Sequence, residues 1–140
     1  MATRASDIMS KNVTVIQEEE TIRDAAERLA QDDVGALPIT DENKVIKGML
    51  TDRDIVVQVV ARGRDVDSIT ARELEQGDLI TIRPEDSIEH AADLMATHQV
   101  RRIPVVENDG KVVGIVSQAD IAKTVRPEKT GQVVSEISAG

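Results

Sequence analysis

The chain has 140 residues, a formal net charge of -9 and a pI near 4.7. That balance excludes a general nucleic-acid or anionic-membrane binder, because both need a basic face. Cysteine is absent, which removes disulfide frameworks and thiolate chemistry, and so are Phe, Tyr and Trp. The core must therefore be aliphatic, and any bound purine would lie between aliphatic side chains.

No apolar run approaches the ~18 residues of a membrane span, and no secretory signal pattern opens the sequence; a cytoplasmic location is expected. In chain order, Val13–Ile16 is a short β-branched run and reads as a strand. Glu18-Glu19-Glu20 reads as favourable charge for the dipole of the next helix. Thr21 opens that helix, whose apolar positions 22, 25, 26 and 29 fall on one stripe. Ala36–Thr40 is a strand whose proline belongs at a start or an edge, since it lacks a ladder donor. Asp41-Glu42-Asn43 then turns the chain into Val45–Leu50, closing a hairpin. Ile55–Val60 is apolar on more than one side and reads as either helix or strand on its own. Arg62–Thr70 is polar and reads as a linker.

The same order then recurs. At an offset of 66 residues Ile22, Ala25, Ala26, Ala30, Val34, Pro38, Gly48, Asp54 and Ile55 meet identical residues, and the alignment reaches back to Asp7-Ile8-Met9 against Glu73-Leu74-Glu75. Internal repetition of this density organises the whole chain. The second copy runs through the strand Leu79–Ile82, a helix opened by Ser87, the strand Ile103–Glu107, the turn Asn108-Asp109-Gly110 and the strand Lys111–Val116. The less apolar Ile121–Val125 matches Ile55–Val60, which argues for helix in both. The extra apolar face of 56–60 then needs cover from the other repeat or a second subunit. Each repeat reads β-α-β-β-α, so the fold class is α+β. The expected division is repeat 1 over 6–62, a linker over 63–70, repeat 2 over 71–126 and a loosely held tail over 127–140.

The chemistry concentrates in a phrase present in both copies. Gly48-Met49-Leu50-Thr51-Asp52-Arg53-Asp54 returns as Gly114-Ile115-Val116-Ser117-Gln118-Ala119-Asp120. A hydroxyl followed three residues later by an acid also describes a capping box, and Thr21-x-x-Asp24 has the same spacing. The added feature is the strand-borne glycine, which permits close approach to the backbone. A helix start would favour a phosphate, and an aspartate one turn in can accept from two ribose hydroxyls.

The repeated β-α-β-β-α order, the Ala-Leu-Pro-Ile and Ile-Pro-Val-Val strands, and the tandem Gly-x-x-[Ser/Thr]-x-x-Asp resemble a CBS domain pair, or Bateman module, over about residues 6–125. Small stand-alone members of this kind, including hypoxic response proteins, look similar. The resemblance implies two repeats in pseudo-twofold relation, frequent homodimerisation, and two clefts. It implies AMP, ADP, ATP or S-adenosylmethionine as ligand, magnesium being the other way besides a basic side chain to offset anion repulsion. By position, Asp120 and Ser117 would serve one cleft and Asp54 and Thr51 the other. Thr14 and Thr81 on the first strands would line the clefts, with Ala36, Leu37 and Ile103 on the second strands.

Arg101-Arg102 stands just ahead of Ile103-Pro104, where repeat 1 has Gly35-Ala36. In a chain this acidic, the cleft served by Asp120, Ser117 and Arg101 or Arg102 is expected to favour a phosphorylated ligand. The cleft around Asp54 is expected to bind weakly, to use Arg53, or to stay empty. His90 and His98 lack a third ligand in the pattern, so no metal site is expected. No Walker lysine motif, Gly-x-Gly-x-x-Gly or Gly-x-Ser-x-Gly occurs. The expectation is a non-enzymatic, nucleotide-binding regulatory module with an unknown protein target. The alternative is a ligand-independent dimerisation or interaction module of the same fold.

Overall fold

The computed structural model describes residues 3–75 and 79–124. The tail expected over 127–140 lies outside them. The chain folds as two compact units that cut across the sequence repeats: Thr14–Leu79 is one, and the chain before it joins the chain after it to make the other. A one-turn helix, α1 (Ala5–Ile8), opens the chain and belongs to this second unit.

The first unit contains β1 (Ile16–Gln17), α2 (Ile22–Asp32), β2 (Ala36–Thr40), β3 (Ile46–Thr51) and α3 (Asp52–Ile55). β2 pairs parallel with β1 and antiparallel with β3, from Ala36 opposite Thr51 to Ile39 opposite Gly48, with a register shift between Ile39 and Thr40. The buried stripe of α2, Ile22, Ala25 and Leu29, meets Leu37, Ile39 and Leu50 in an all-aliphatic core. Thr21 caps α2 reciprocally with Asp24: its hydroxyl accepts the Asp24 N–H at 3.2 Å, and Oδ2 of Asp24 accepts the Thr21 N–H at 3.3 Å. Thr21→Ala is expected to cost about 1 kcal/mol, read from urea unfolding followed by far-ultraviolet dichroism.

Three readings of this half change. The expected strand Val13–Ile16 shrinks to Ile16–Gln17, paired only with Ile39 and Thr40. Pro38 comes next on β2 and has no N–H to carry the ladder further back. That is also how a proline fits between two strands, since β1 stops short of it. Glu20 is not simple dipole charge: Arg28 grips its carboxylate at 2.6 and 2.5 Å. The guanidinium holds the Glu20 carboxyl below its usual range, and Arg28 also donates to the Val15 carbonyl at 3.0 Å. Lastly, the polar stretch 62–70 is docked. The Ile69 and Val66 carbonyls accept the Ile22 and Arg23 N–H groups at 2.9 and 3.1 Å, donors that no helical carbonyl can reach.

The repeat argument for helix holds at 55–60; in the second copy the helix stops at Ala122, Lys123 and Thr124 form a turn, and Val125 lies outside the described residues. Val56–Val60 continues α3 as a π-helical turn. Val59 is buried, whereas Val56, Val57 and Val60 are 57, 42 and 61% exposed in the single chain.

The second unit adds α4 (Ile88–His98), β4 (Arg102–Val106), β5 (Val112–Ser117) and α5 (Gln118–Ala122). β4 and β5 repeat the register of β2 and β3, from Arg102 opposite Ser117 to Val105 opposite Gly114, with the shift again one residue later. Ser87 caps α4 through the His90 N–H at 3.1 Å. The strand expected over Leu79–Ile82 reduces to one parallel bridge between Ile82 and Val105. Pro104 stands beside it, with the same consequence as Pro38.

Each unit is closed by a short strap that the strand-and-helix pattern did not reveal. In the first unit Ala71–Leu74 forms a 3-10 turn whose Ala71 and Arg72 N–H groups donate to the Glu20 and Glu18 carbonyls at 2.9 and 3.0 Å. In the second, Ala5 and Ser6 of α1 donate to the Asp86 and Pro84 carbonyls at 2.7 and 3.0 Å. These are equivalent positions, 66 residues apart.

Candidate functional site

Both copies of the Ser/Thr-x-x-Asp phrase form where a buried strand end turns into a helix. Thr51 has φ -108 and ψ 160, and Ser117 has φ -106 and ψ 162. The extended residue acts as N-cap and the next residue starts the helix. Oδ2 of Asp54 accepts the Thr51 N–H at 2.9 Å and the Thr51 hydroxyl accepts the Asp54 N–H at 3.0 Å. Asp120 and Ser117 repeat this at 2.9 and 3.0 Å. Both distances are shorter than in the Thr21–Asp24 box.

Capping therefore occupies one oxygen of each carboxylate and one lone pair of each hydroxyl. It leaves in reach the second carboxylate oxygen and the O–H donor. Thr51, Asp54, Ser117 and Asp120 are all half-buried. Each phrase thus holds one anionic acceptor and one hydroxyl donor at fixed spacing on a rigid strand end.

The register places the expected basic group beside only one phrase. Arg102 lies opposite Ser117 on β4, where the first unit has Ala36 opposite Thr51. The Arg101 carbonyl accepts the Gln118 N–H at 2.8 Å, as the Gly35 carbonyl accepts the Asp52 N–H at 3.0 Å. Arg101 is exposed and Arg102 half-buried, and among the described residues neither forms an ion pair. Arg53 is exposed at the start of α3. The Thr14 hydroxyl donates to the Asp32 carboxylate, and Thr81 is half-buried just before Ile82. Ala36 is buried, Leu37 belongs to the core of the first unit and Ile103 to that of the second.

The glycine of the phrase requires a correction. Its close neighbour is the strap: a Cβ at Gly114 would lie 2.7 Å from Cγ and 3.0 Å from Cβ of Met9. At Gly48 the corresponding neighbour is Glu75, with Cγ at 3.5 Å and Cα at 3.6 Å. The backbone is approached by the protein's own chain, and that alone accounts for glycine at 114. One signal in the sequence could have found the straps, the match of Ala5 and Ile8 to Ala71 and Leu74 at the repeat offset.

The CBS domain family model matches twice, over residues 5–61 and 71–127. The chain belongs to the CBS domain family, as a tandem pair. The CBS pair is 41% identical over 135 residues to Hypoxic response protein 1 of Mycobacterium tuberculosis, spanning 96% of this chain and 94% of that one. A crystal structure of Hypoxic Response Protein I with two coordinated zinc ions superposes with a TM-score of 0.82 at 42% identity, covering 89% of this chain and all of that one. CBSX2 in complex with AMP gives 0.75 at 25% identity over 86% of this chain and 93% of that one. The CBS domain pair of MJ0100, in complex with 5'-methylthioadenosine and S-adenosyl-L-methionine, gives 0.74 at 28% identity over 86% and 98%. In the present CBS pair, no group of three or more His, Cys, Asp or Glu is arranged to hold a metal among the described residues. His90 and His98 both sit exposed on α4. No described helix is long and apolar enough to cross a membrane.

Proposed function

We propose that this CBS pair is a non-enzymatic regulatory module that binds an adenosine-containing ligand of the AMP, ADP or ATP type and signals by a change of conformation. The observation carrying the reading is the Ser117–Asp120 phrase with Arg102 in register beside it. Asp120 offers carboxylate oxygen to vicinal ribose hydroxyls. Ser117 donates to a phosphate, and Arg102, with Arg101, offsets the repulsion that a chain of charge -9 exerts on an anion. The complexes of CBSX2 and MJ0100 support the ligand class. The Thr51–Asp54 phrase has the same geometry without the register-paired arginine, so its affinity for a phosphorylated ligand is lower. The ligand acts by binding one arrangement of the pair more tightly than another.

Thermal shift and calorimetry with AMP, ADP, ATP, S-adenosylmethionine and reduced dinucleotides test this, with and without magnesium. A binding ligand at a hundred times its Kd stabilises by about 2.7 kcal/mol, a clear rise in Tm. The calorimetric heat should saturate, and both signals should be lost in Asp120→Ala. Silence from the whole panel overturns the proposal.

The exposed Val56, Val57 and Val60 favour a second reading, a homodimer that uses the fold for association alone. Sedimentation decides it. A dimer broken by Val57→Glu and indifferent to every nucleotide supports this reading against the first.

A further inference from the structure

The strap of the first unit contains a cluster that its counterpart lacks. Glu75 lies against Gly48, half-buried, with Oε1 enclosed and without a hydrogen-bond partner. The neighbouring carboxyl of Glu18, in the loop after β1, adds to burial in favouring the protonated form of Glu75. Two cations also act on Glu75: Arg72 from its own turn and Lys47 from β3. Arg72 is drawn away to Glu19 and Glu18, the latter at 3.7 Å, while Lys47 reaches Asp41 at 3.9 Å. In the second unit, the positions equivalent to Glu75, Glu18, Arg72 and Lys47 are Met9, Pro84, Ser6 and Val113. Four charged residues are thus replaced by four that do not titrate, on the same backbone frame.

We propose that Glu75 is a proton-dependent latch, which holds the strap of residues 70–75 against Gly48 when its carboxyl is protonated and loosens it as the pH rises to neutrality. Beyond the strap the first unit has only Leu79 among its described residues. Burial, then the neighbouring Glu18 carboxyl and its like charge, push the Glu75 carboxyl up to about 7, against the smaller opposing pull of Arg72 and Lys47. Between the ordinary carboxylate range and that value, the docked strap binds a proton that the released strap gives up. Docking is therefore fully supported below about pH 4.5, weakens as the pH rises to about 7, and changes no further above it.

Amide exchange provides the test, because the molecule carries its own control. Protection of Ala71 and Arg72 divided by that of Ala5 and Ser6 cancels the intrinsic pH dependence of exchange. The ratio is expected to fall at least about tenfold between pH 5 and pH 8, with most of the change below neutrality. It should stay flat in Glu75→Gln and in Glu75→Met, which restores the apolar arrangement of the other strap. A flat ratio in the unsubstituted protein, or a falling one in Glu75→Met, overturns the latch. Carbon NMR of the Glu75 carboxyl gives an independent reading. A midpoint near neutrality that drops in Glu18→Gln is expected; a midpoint in the ordinary carboxylate range overturns the proposal.

Discussion

Gly114→Ala is expected to destabilise the second unit by roughly 1–3 kcal/mol, the cost of forcing a methyl group into a filled space. The new carbon would stand 2.7 Å from Cγ and 3.0 Å from Cβ of Met9. Rotating the end of the methionine relieves the first contact but not the second, because Cβ moves only with the strap backbone. That backbone is held on both sides of the contact: Met9 donates to the Ala5 carbonyl at 2.9 Å, and Ser10 exchanges bonds with Ile115 at 2.8 and 3.0 Å. The repeat supplies a matched comparison. Gly48→Ala places its methyl 3.5 Å from Glu75, an ordinary contact, and should shift stability by less than about 1 kcal/mol. Urea unfolding followed by far-ultraviolet dichroism measures both, since the chain has no tryptophan. Met9→Ala combined with Gly114→Ala should recover part of the loss, since neighbours in contact are not additive. Equal effects at the two glycines would refute the assignment of glycine to strap packing.

What the sequence made legible follows from which interactions are local. The hairpins, the helix stripes and the caps at Thr21, Ser87, Thr51 and Ser117 depend on residues within a few positions of each other. Their pattern is therefore written in the chain. Duplication resolved the ambiguous 55–60 segment, because a weakly apolar copy of it exists at 121–125. The first strands were overread because β-branched runs report propensity. Their real limit is set by Pro38 and Pro104 on partners more than 20 residues away. The straps stayed hidden for a related reason. They are too short for periodicity, and their value comes from backbone donors meeting carbonyls at Glu20, Glu18, Asp86 and Pro84. At the site, spacing alone located the hydroxyl and the carboxylate. The meaning of the glycine needed Met9 and Glu75, which no local pattern brings to it.

Asp120→Asn separates the two jobs of the phrase. The amide oxygen of the replacement still accepts the Ser117 N–H, and the Asp120 backbone N–H still reaches the Ser117 hydroxyl, so the reciprocal cap survives. What goes is charge near the start of α5, a stability loss of about 0.3–1 kcal/mol. Ligand binding should suffer more. Hydrogen bonds from ribose hydroxyls to an ionised acceptor are worth about 1.5–3 kcal/mol, so affinity for the responding nucleotide should fall about 10- to 150-fold. Asp120→Ala loses the cap as well and should show both effects at full size, so the asparagine variant is the cleaner probe. Asp54→Asn makes the same structural change where Ala36, rather than Arg102, lies opposite the hydroxyl. Its stability loss should match, with a smaller loss in affinity for phosphorylated ligands. Calorimetric Kd values beside unfolding free energies give the comparison. An unchanged affinity in Asp120→Asn would limit this carboxylate to capping, and a larger loss in Asp54→Asn would transfer the preferred site to the first unit.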